Sequence, residues 1–159
     1  PDLNGERAPF YSPDARAGFF GISPHTTRAQ LQRAVFEGLA FAIVDALQGY
    51  PQGGELYLTG GGAASATWLQ IIADCTGRTV VSSAFNELSA RGAAILAARS
   101  VAALAETPPL AQTRYQPRPQ AHARYAALYP VYRLLREQML PVWQARQAAL
   151  QPLSQDLQP

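Results

Sequence analysis

A chain of 159 residues and 17.1 kDa, 48% apolar and 15% charged, has the size and composition of one globular domain, which excludes extensive disorder. Its net charge is +2, and its thirteen basic residues are all arginine, spaced singly from Arg7 to Arg146. Without local clustering, neither a nucleic-acid groove nor a patch for anionic membranes is expected, despite a pI of 9.0.

The absence of lysine excludes a P-loop of the GxxxxGK[ST] kind and any Schiff-base lysine. Cys75 is the only cysteine, which rules out an internal disulfide and a thiolate zinc cluster. It fits a reducing compartment, and a cytoplasmic location is the expectation. No uninterrupted apolar run approaches the ~20 residues of a membrane span; AAILAARSVAALA is broken by Arg99. No secretory signal pattern is present, and the chain opens at PDLNGERAPF without a methionine, so it reads as a piece of something longer.

Residues 1–25 are rich in Pro, Gly, Asp and aromatics. FYSPDARAGFFGIS sets two short apolar runs around a Pro-Asp turn, which predicts a hairpin or an ordered loop. From SPHTT onward the pattern changes. Leu31, Ala34, Val35, Gly38, Leu39, Ala42 and Ala46 recur at three and four, predicting a helix of about five turns. A threonine cap at Thr26 or Thr27 opens it and Gly49 closes it.

ELYLT, residues 55–59, reads as a short strand, followed by three glycines and a helix over 64–76 that ends at Gly77. Trp68, Leu69, Ile72 and Cys75 share one face of that helix. TVVSS, residues 79–83, is a second strand by its β-branched residues, and 87–105 form a small alanine-rich helix. Strand, helix, strand and helix in this order imply a right-handed βαβ crossover and a parallel pair.

ETPPLAQTRYQPRPQ, residues 106–120, reads as a proline-rich connector. Beyond it Tyr125, Leu128, Tyr129, Tyr132, Leu135, Met139 and Trp143 keep helical spacing. Pro130 and Pro141 are expected to kink or divide that helix, and residues 148–159 to fray. Two strands make too small a parallel sheet, which needs cover on both faces. The opening hairpin is expected to join it, and further strands to lie outside this chain.

Gly60, Gly61 and Gly62 stand between strand and helix. Such a corner suits an anion or a nucleotide, since helix N–H groups point at the ligand and missing Cβ atoms admit it; a bare structural turn fits the glycines as well. A dinucleotide fingerprint fits poorly. Ser65 replaces its third glycine, and Asp74 and Glu87 are badly placed for the ribose acid.

Glu37, between Phe36 and Gly38, must point outward or be paired. Arg16 and Arg33 are the candidate partners, and a structural ion pair is favoured over a catalytic carboxylate. Cys75 reads as a buried small hydrophobe. His25 and His122 lack metal-ligand spacing, so no metal site is expected in this chain. The Tyr and Trp stripe reads as core or interface, and Ser82 and Ser83, outside any GxSxG context, support no hydrolase triad.

Four motifs, in order, resemble one family, the FGGY carbohydrate kinases, in their C-terminal lobe. They are GERAPFYSPDAR (5–16), AGFFGISPHTTRAQLQRAVFE (17–37), LTGGGAASATWLQIIADCTGRTV (58–80) and ARGAAILAA (90–98). The second is similar to the family's C-terminal signature throughout: Ala17, Phe19, Gly21, Ile22, seven further residues, then Gln30, Leu31, Ala34, Val35, Phe36 and Glu37. RYAALYPVYRLLREQMLPVW resembles the closing helix of xylulokinase-like members, so the likeness runs from about residue 4 to 145.

The resemblance implies an α/β fold, part of an actin-like (ribonuclease-H-like) ATPase domain: a parallel strand pair with covering helices plus an N-terminal hairpin or loop. Residues 1–147 would be the distal part of the C-terminal nucleotide-binding lobe, the N-terminal sugar-binding lobe being absent from this chain. Gly60, Gly61, Gly62 and Ala63 would pass beneath the adenosine and α-phosphate of ATP, with Ser65 or Ala66 near the purine. Glycerol kinases carry asparagine at the place of Ala66, so that contact is missing and the pentulose-kinase branch is favoured.

The chemistry implied is phosphoryl transfer from ATP–Mg²⁺ to a hydroxyl of a ketopentose such as xylulose, or of a related sugar or polyol. The family's proton-accepting aspartate lies well upstream of GERAP, and Asp2 is too close to serve, so no catalytic residue is expected here. The implied partners are ATP and a small sugar or polyol; a homodimer stays open. Two competing readings are a non-catalytic interaction fragment that self-associates through apolar faces, and a non-kinase actin-like ATPase lobe. GERAP and the RAVFEG helix argue against the last.

Overall fold

The computed structural model describes residues 1–8, 10–51, 53–83, 87–101 and 110–155, the last five for their backbone alone. In chain order its elements are α1 (Arg28–Ala46), β1 (Leu56–Leu58), a 3-10 turn (Gly61–Ala64), α2 (Ala66–Thr76), β2 (Val80–Ser83), α3 (Leu88–Val101), β3 (Gln112–Tyr115) and α4 (Pro119–Gln155). They form two compact units: residues 51–122, and residues 1–50 together with 123–159.

In the unit 51–122, β1 and β2 are the expected parallel pair, with Leu56 opposite Val80 and Leu58 opposite Ser82. The connector expected at 106–120 contains a strand instead. β3 runs antiparallel to β2, giving the order β1-β2-β3 with β2 in the centre. QTRY carries no apolar alternation, which is why its pattern reads as a loop; an edge strand needs hydrogen bonds on one side only. Arg114 of β3 pairs with Glu55, at 3.0 Å, across the exposed rim of the sheet.

α2 is capped by Ser65, whose Oγ accepts the Trp68 N–H at 3.3 Å, and it ends at Gly77 in the left-handed region, φ 67°. Leu69, Ile71, Ile72, Ala73, Asp74 and Cys75 are all buried, so the helix is covered on more than the face expected of it. Cys75 is indeed buried, as a small hydrophobe would be. Gly77 is required twice over. An added Cβ would also meet the His122 ring at 2.7 Å, and that ring bonds through Nδ1 to the Asp74 carbonyl at 2.9 Å.

Asp74 is the buried charge of this unit, 0% exposed. Its Oδ1 accepts the Arg118 backbone N–H at 2.8 Å and Gln70 Nε2 at 3.0 Å, while Oδ2 accepts Arg118 Nε at 3.1 Å and Nη2 at 2.6 Å. Burial alone would raise this carboxyl, but the Arg118 and Gln70 bonds hold it below its ordinary value. Arg118 immediately precedes Pro119, the first residue of α4, where a missing N–H costs nothing.

In the other unit, a capping box opens α1: Gln30 N–H bonds to Thr27 Oγ1 at 3.3 Å, and Thr27 N–H to Gln30 Oε1 at 2.8 Å. The helix closes at Leu47 rather than Gly49, because the Leu47 N–H still reaches the Ile43 carbonyl and a turn follows. Phe41 packs against Tyr125, Tyr129 and Tyr132, with ring centroids 6.0, 5.9 and 5.2 Å away. Tyr129 O–H and the Arg136 guanidinium both bond to the buried Asp45 carboxylate. Arg136 also lies 4.9 Å from the centre of the Phe10 ring, which stacks on Trp143. The aromatic stripe of α4 is therefore core, as its spacing predicts.

The opening segment is the expected hairpin-like loop: Glu6 and Ser12 exchange backbone bonds of 2.8 and 2.9 Å. Among the described residues it does not join the three-stranded sheet. α1 remains apolar on a second face, where Val35 and Leu39 are exposed.

α4 is not divided. It runs from Pro119 to Gln155 through both Pro130 and Pro141. Each proline removes one i to i−4 bond, but the carbonyls so freed belong to Ala126 and Glu137, both exposed residues, while Tyr125 and Trp143 of the same helix are buried. The same helix takes in residues 148–155, expected to fray; 156–159 lie outside the described residues, as do 102–105 of the expected third helix.

Replacing Asp74 with asparagine should lower the unfolding free energy by about 2–3 kcal/mol, the scale of hydrogen bonds to a buried charge. Because the folded carboxyl is depressed, its contribution is complete above the unfolded value of about 4 and is lost as pH falls through the folded value. Thermal melts of both proteins across pH should converge in acid; a gap that persists there would refute the assignment.

Candidate functional site

The glycines do not open α2 directly. Gly60 has φ 83°, a conformation that disfavours side chains, and turns the chain out of β1. Gly61, Gly62, Ala63 and Ala64 then form their own 3-10 turn, in which Ala63 N–H bonds to the Gly60 carbonyl at 3.0 Å. Ser65 intervenes before α2 begins at Ala66, and its hydroxyl already occupies the Trp68 N–H. The anion corner expected from the sequence is therefore altered. The glycines offer a short, bare strip of backbone ahead of the helix, while the α2 N-terminus is closed in part by its own cap.

The strip is accessible. A Cβ built on Gly60 or Gly61 would meet nothing within 4 Å, whereas one on Gly62 would touch Trp68 Nε1 at 3.4 Å. Gly61, Gly62, Ser65 and Ala66 are exposed, and Gly60 and Ala63 are half-buried. All six candidate residues thus lie on one short stretch of surface, with open space above the first two glycines and the half-buried Trp68 beside the third. Flat, uncharged backbone of this kind can be approached closely by a planar ring or a phosphate ester.

Glu37 lies elsewhere, in the other unit, and is held in a closed triangle. Arg33 Nε donates to Glu37 Oε1 at 2.7 Å, Tyr125 O–H donates to the same oxygen at 2.8 Å, and Arg33 Nη2 donates to Tyr125 Oη at 2.9 Å. Burial, with the Glu37 bond, pushes the Tyr125 phenol up to about 12. This is the structural ion pair favoured above, with Arg33 as the partner. Arg16 instead bonds to the carbonyls of Pro13 and Ala15, at 2.9 and 2.6 Å.

Two side chains beside the glycine strip carry no sequence signal for that place. Helical spacing gives Trp68 a face of α2 but not its contact with Gly62, and no motif marks Ser82. Its Oγ donates to the Ala63 carbonyl at 3.3 Å. The available signal is a pair of serines following two valines; the partner of Ser82, nineteen positions earlier, is not legible.

Residues 1–101 match the FGGY family of carbohydrate kinases, C-terminal domain, and the chain belongs to that family. It is 33% identical to the xylulose kinase of Escherichia coli (strain K12), over 89% of this chain and 31% of that protein. It is 35% identical to the erythritol kinase of Brucella abortus (strain 2308), over 87% and 28%. The xylulose kinase of Rhodospirillum rubrum superposes with a TM-score of 0.72 at 30% identity, over 91% of this chain and 30% of that one. A ligand-bound xylulose kinase from Lactobacillus acidophilus gives 0.80 at 24% identity over 91% and 31%, a likeness of fold. The fold is thus the expected α/β part of an actin-like ATPase domain, and the chain spans about a third of the length of these relatives.

Gly60→Ala should cost about 1–3 kcal/mol in chemical denaturation, because φ 83° with ψ −172° is a region that side chains hardly enter. Gly61→Ala, in open space without that constraint, should be neutral or stabilise by up to about 1 kcal/mol. Equal losses at both positions would show that the strip is not built as described.

Proposed function

We propose that this chain is the distal part, residues 1–147, of the ATP-binding lobe of a sugar kinase whose sugar-binding lobe precedes it. The reaction is phosphoryl transfer from ATP to a hydroxyl of a ketopentose such as xylulose, or of a related sugar or polyol. The observation that carries this reading is the bare Gly60–Gly62 strip, open to solvent, in a member of a carbohydrate-kinase family. Gly60, Gly61, Gly62 and Ala63 pass beneath the adenosine and α-phosphate, and Ser65 or Ala66 lies near the purine. Ala66 has no polar side chain to offer a purine, and xylulose kinases stand among the relatives, which supports a pentulose acceptor.

Such a lobe acts by positioning. The floor under the adenosine and α-phosphate binds the nucleotide, and the base that takes the hydroxyl proton belongs to the preceding lobe. Among the described residues no group of three or more His, Cys, Asp or Glu is placed to hold a metal ion. The ion is proposed to enter with the triphosphate, and no step here runs through these residues. A cytoplasmic location is proposed on the chain's single cysteine, which leaves no internal disulfide to form.

A second reading, a non-catalytic fragment that pairs with a second copy, draws on the exposed Phe19, Phe20 and Ile22. They line an open groove of about 290 Å³ together with His25, Gln30 and Leu31. Sedimentation of the chain decides between them: a species that stays monomeric as concentration rises refutes this second reading.

The full-length protein should release ADP from ATP in the presence of xylulose or a related pentulose or polyol; a coupled assay across such a panel with no sugar-dependent release would refute the kinase reading. Gly62→Val, driving its side chain against Trp68, should raise KM for ATP at least about tenfold while KM for sugar stays within about twofold. Equal effects on both would refute the placement of the nucleotide. The isolated chain should bind ATP weakly, because one wall of the cleft is elsewhere; calorimetry giving a micromolar Kd would overturn that.

A further inference from the structure

Ser82 is a hydroxyl where the sheet otherwise buries apolar groups. It lies on the central strand next to the buried Val80 and Val81 and is itself only 6% exposed. A hydroxyl in that position is costly unless it is hydrogen-bonded. Its bond goes to the carbonyl of Ala63, the third residue of the 3-10 turn, at 3.3 Å. In the parallel register Ser82 stands opposite Leu58, the last residue of β1, at the place where the chain leaves the sheet for the glycines. The bond therefore spans from the rigid sheet to the strip itself.

The strip has few other ties of this kind. Glycines pack no side chains, and Gly60 and Gly61 face open space. From the α2 side the indole of Trp68 lies against Gly62, and Ser65 Oγ holds the Trp68 N–H. From the sheet side the side-chain tie among the described residues is Ser82 to Ala63. Three flexible glycines between these two supports lose conformational freedom when a ligand orders them, and that loss weakens binding unless the turn is already fixed.

We propose that Ser82 is a positioning residue for the nucleotide: by holding the Ala63 carbonyl it fixes the height and tilt of the Gly60–Ala63 floor on which adenosine rests. This rests on the kinase reading above and adds to it a residue that touches no substrate. Loss of the hydroxyl loosens the floor and weakens ATP without disturbing the sugar site or the transfer step.

The test is steady-state kinetics of the full-length kinase with Ser82→Ala, Ser82→Val and Ser82→Thr, with melting temperatures of each. Ser82→Ala and Ser82→Val should raise KM for ATP about five- to tenfold, the scale of one net hydrogen bond. KM for sugar and kcat should stay within about twofold, and Ser82→Thr, which keeps the hydroxyl, should return KM for ATP to within about twofold of wild type. An unchanged KM for ATP in Ser82→Ala and Ser82→Val overturns the inference while leaving the kinase reading intact. So does a parallel loss of kcat and both KM values with a lowered melting temperature, which marks general structural damage. A wild type with no sugar-dependent ADP release overturns the kinase reading, and this inference with it.

Discussion

Asp74 is a carboxylate with no exposed surface in the last turn of α2, and the unit around the glycine strip is organised to satisfy it. The main chain and guanidinium of Arg118 and the amide of Gln70 meet its two oxygens, and Gln70 goes on to the Gln116 carbonyl at 2.9 Å. Thr79, just ahead of β2, reaches the Gln116 side chain, also at 2.9 Å. The residues between β3 and α4 are thereby tied to α2 and to the sheet by polar bonds. A buried charge cannot be left unpaired, so this short segment has little freedom to lie elsewhere.

That constraint bears on the glycines because α2 begins one residue after their turn. A helix held along its length by Asp74, the His122 ring and a buried apolar surface presents Ser65 and Trp68 in fixed places. The sheet does the same for Ser82. Between these two fixed edges the glycines can be bare without being loose, which is what a floor for a planar ligand requires. The flexible residue type and the rigid frame are complementary parts of one arrangement.

Much of this was legible beforehand. The three-and-four spacing of α1, the threonine cap, the αL glycine after α2, the β-branched run of β2 and the tyrosines of α4 all appear where local rules place them. The misses share a cause. β3 has a polar, proline-flanked sequence and exists because β2 offers it an edge; α4 survives two prolines because its buried stripe outweighs two lost bonds on the solvent side. In both, a long-range contact overrode a local preference.

The site divides along the same line. Sequence alone determined that Gly60, Gly61 and Gly62 lie between a strand and a helix, that Glu37 needs a partner, and that the motifs are those of a carbohydrate-kinase C-terminal lobe, because glycine conformation, charge burial and motif order are properties of residues and their spacing. Only the tertiary structure decided that the glycines form a separate 3-10 turn ahead of α2, that Arg33 and not Arg16 answers Glu37, and that Ser82 grips Ala63. Each of these is a contact chosen by packing, between groups whose chemistry allows several partners and whose separation along the chain ranks none of them.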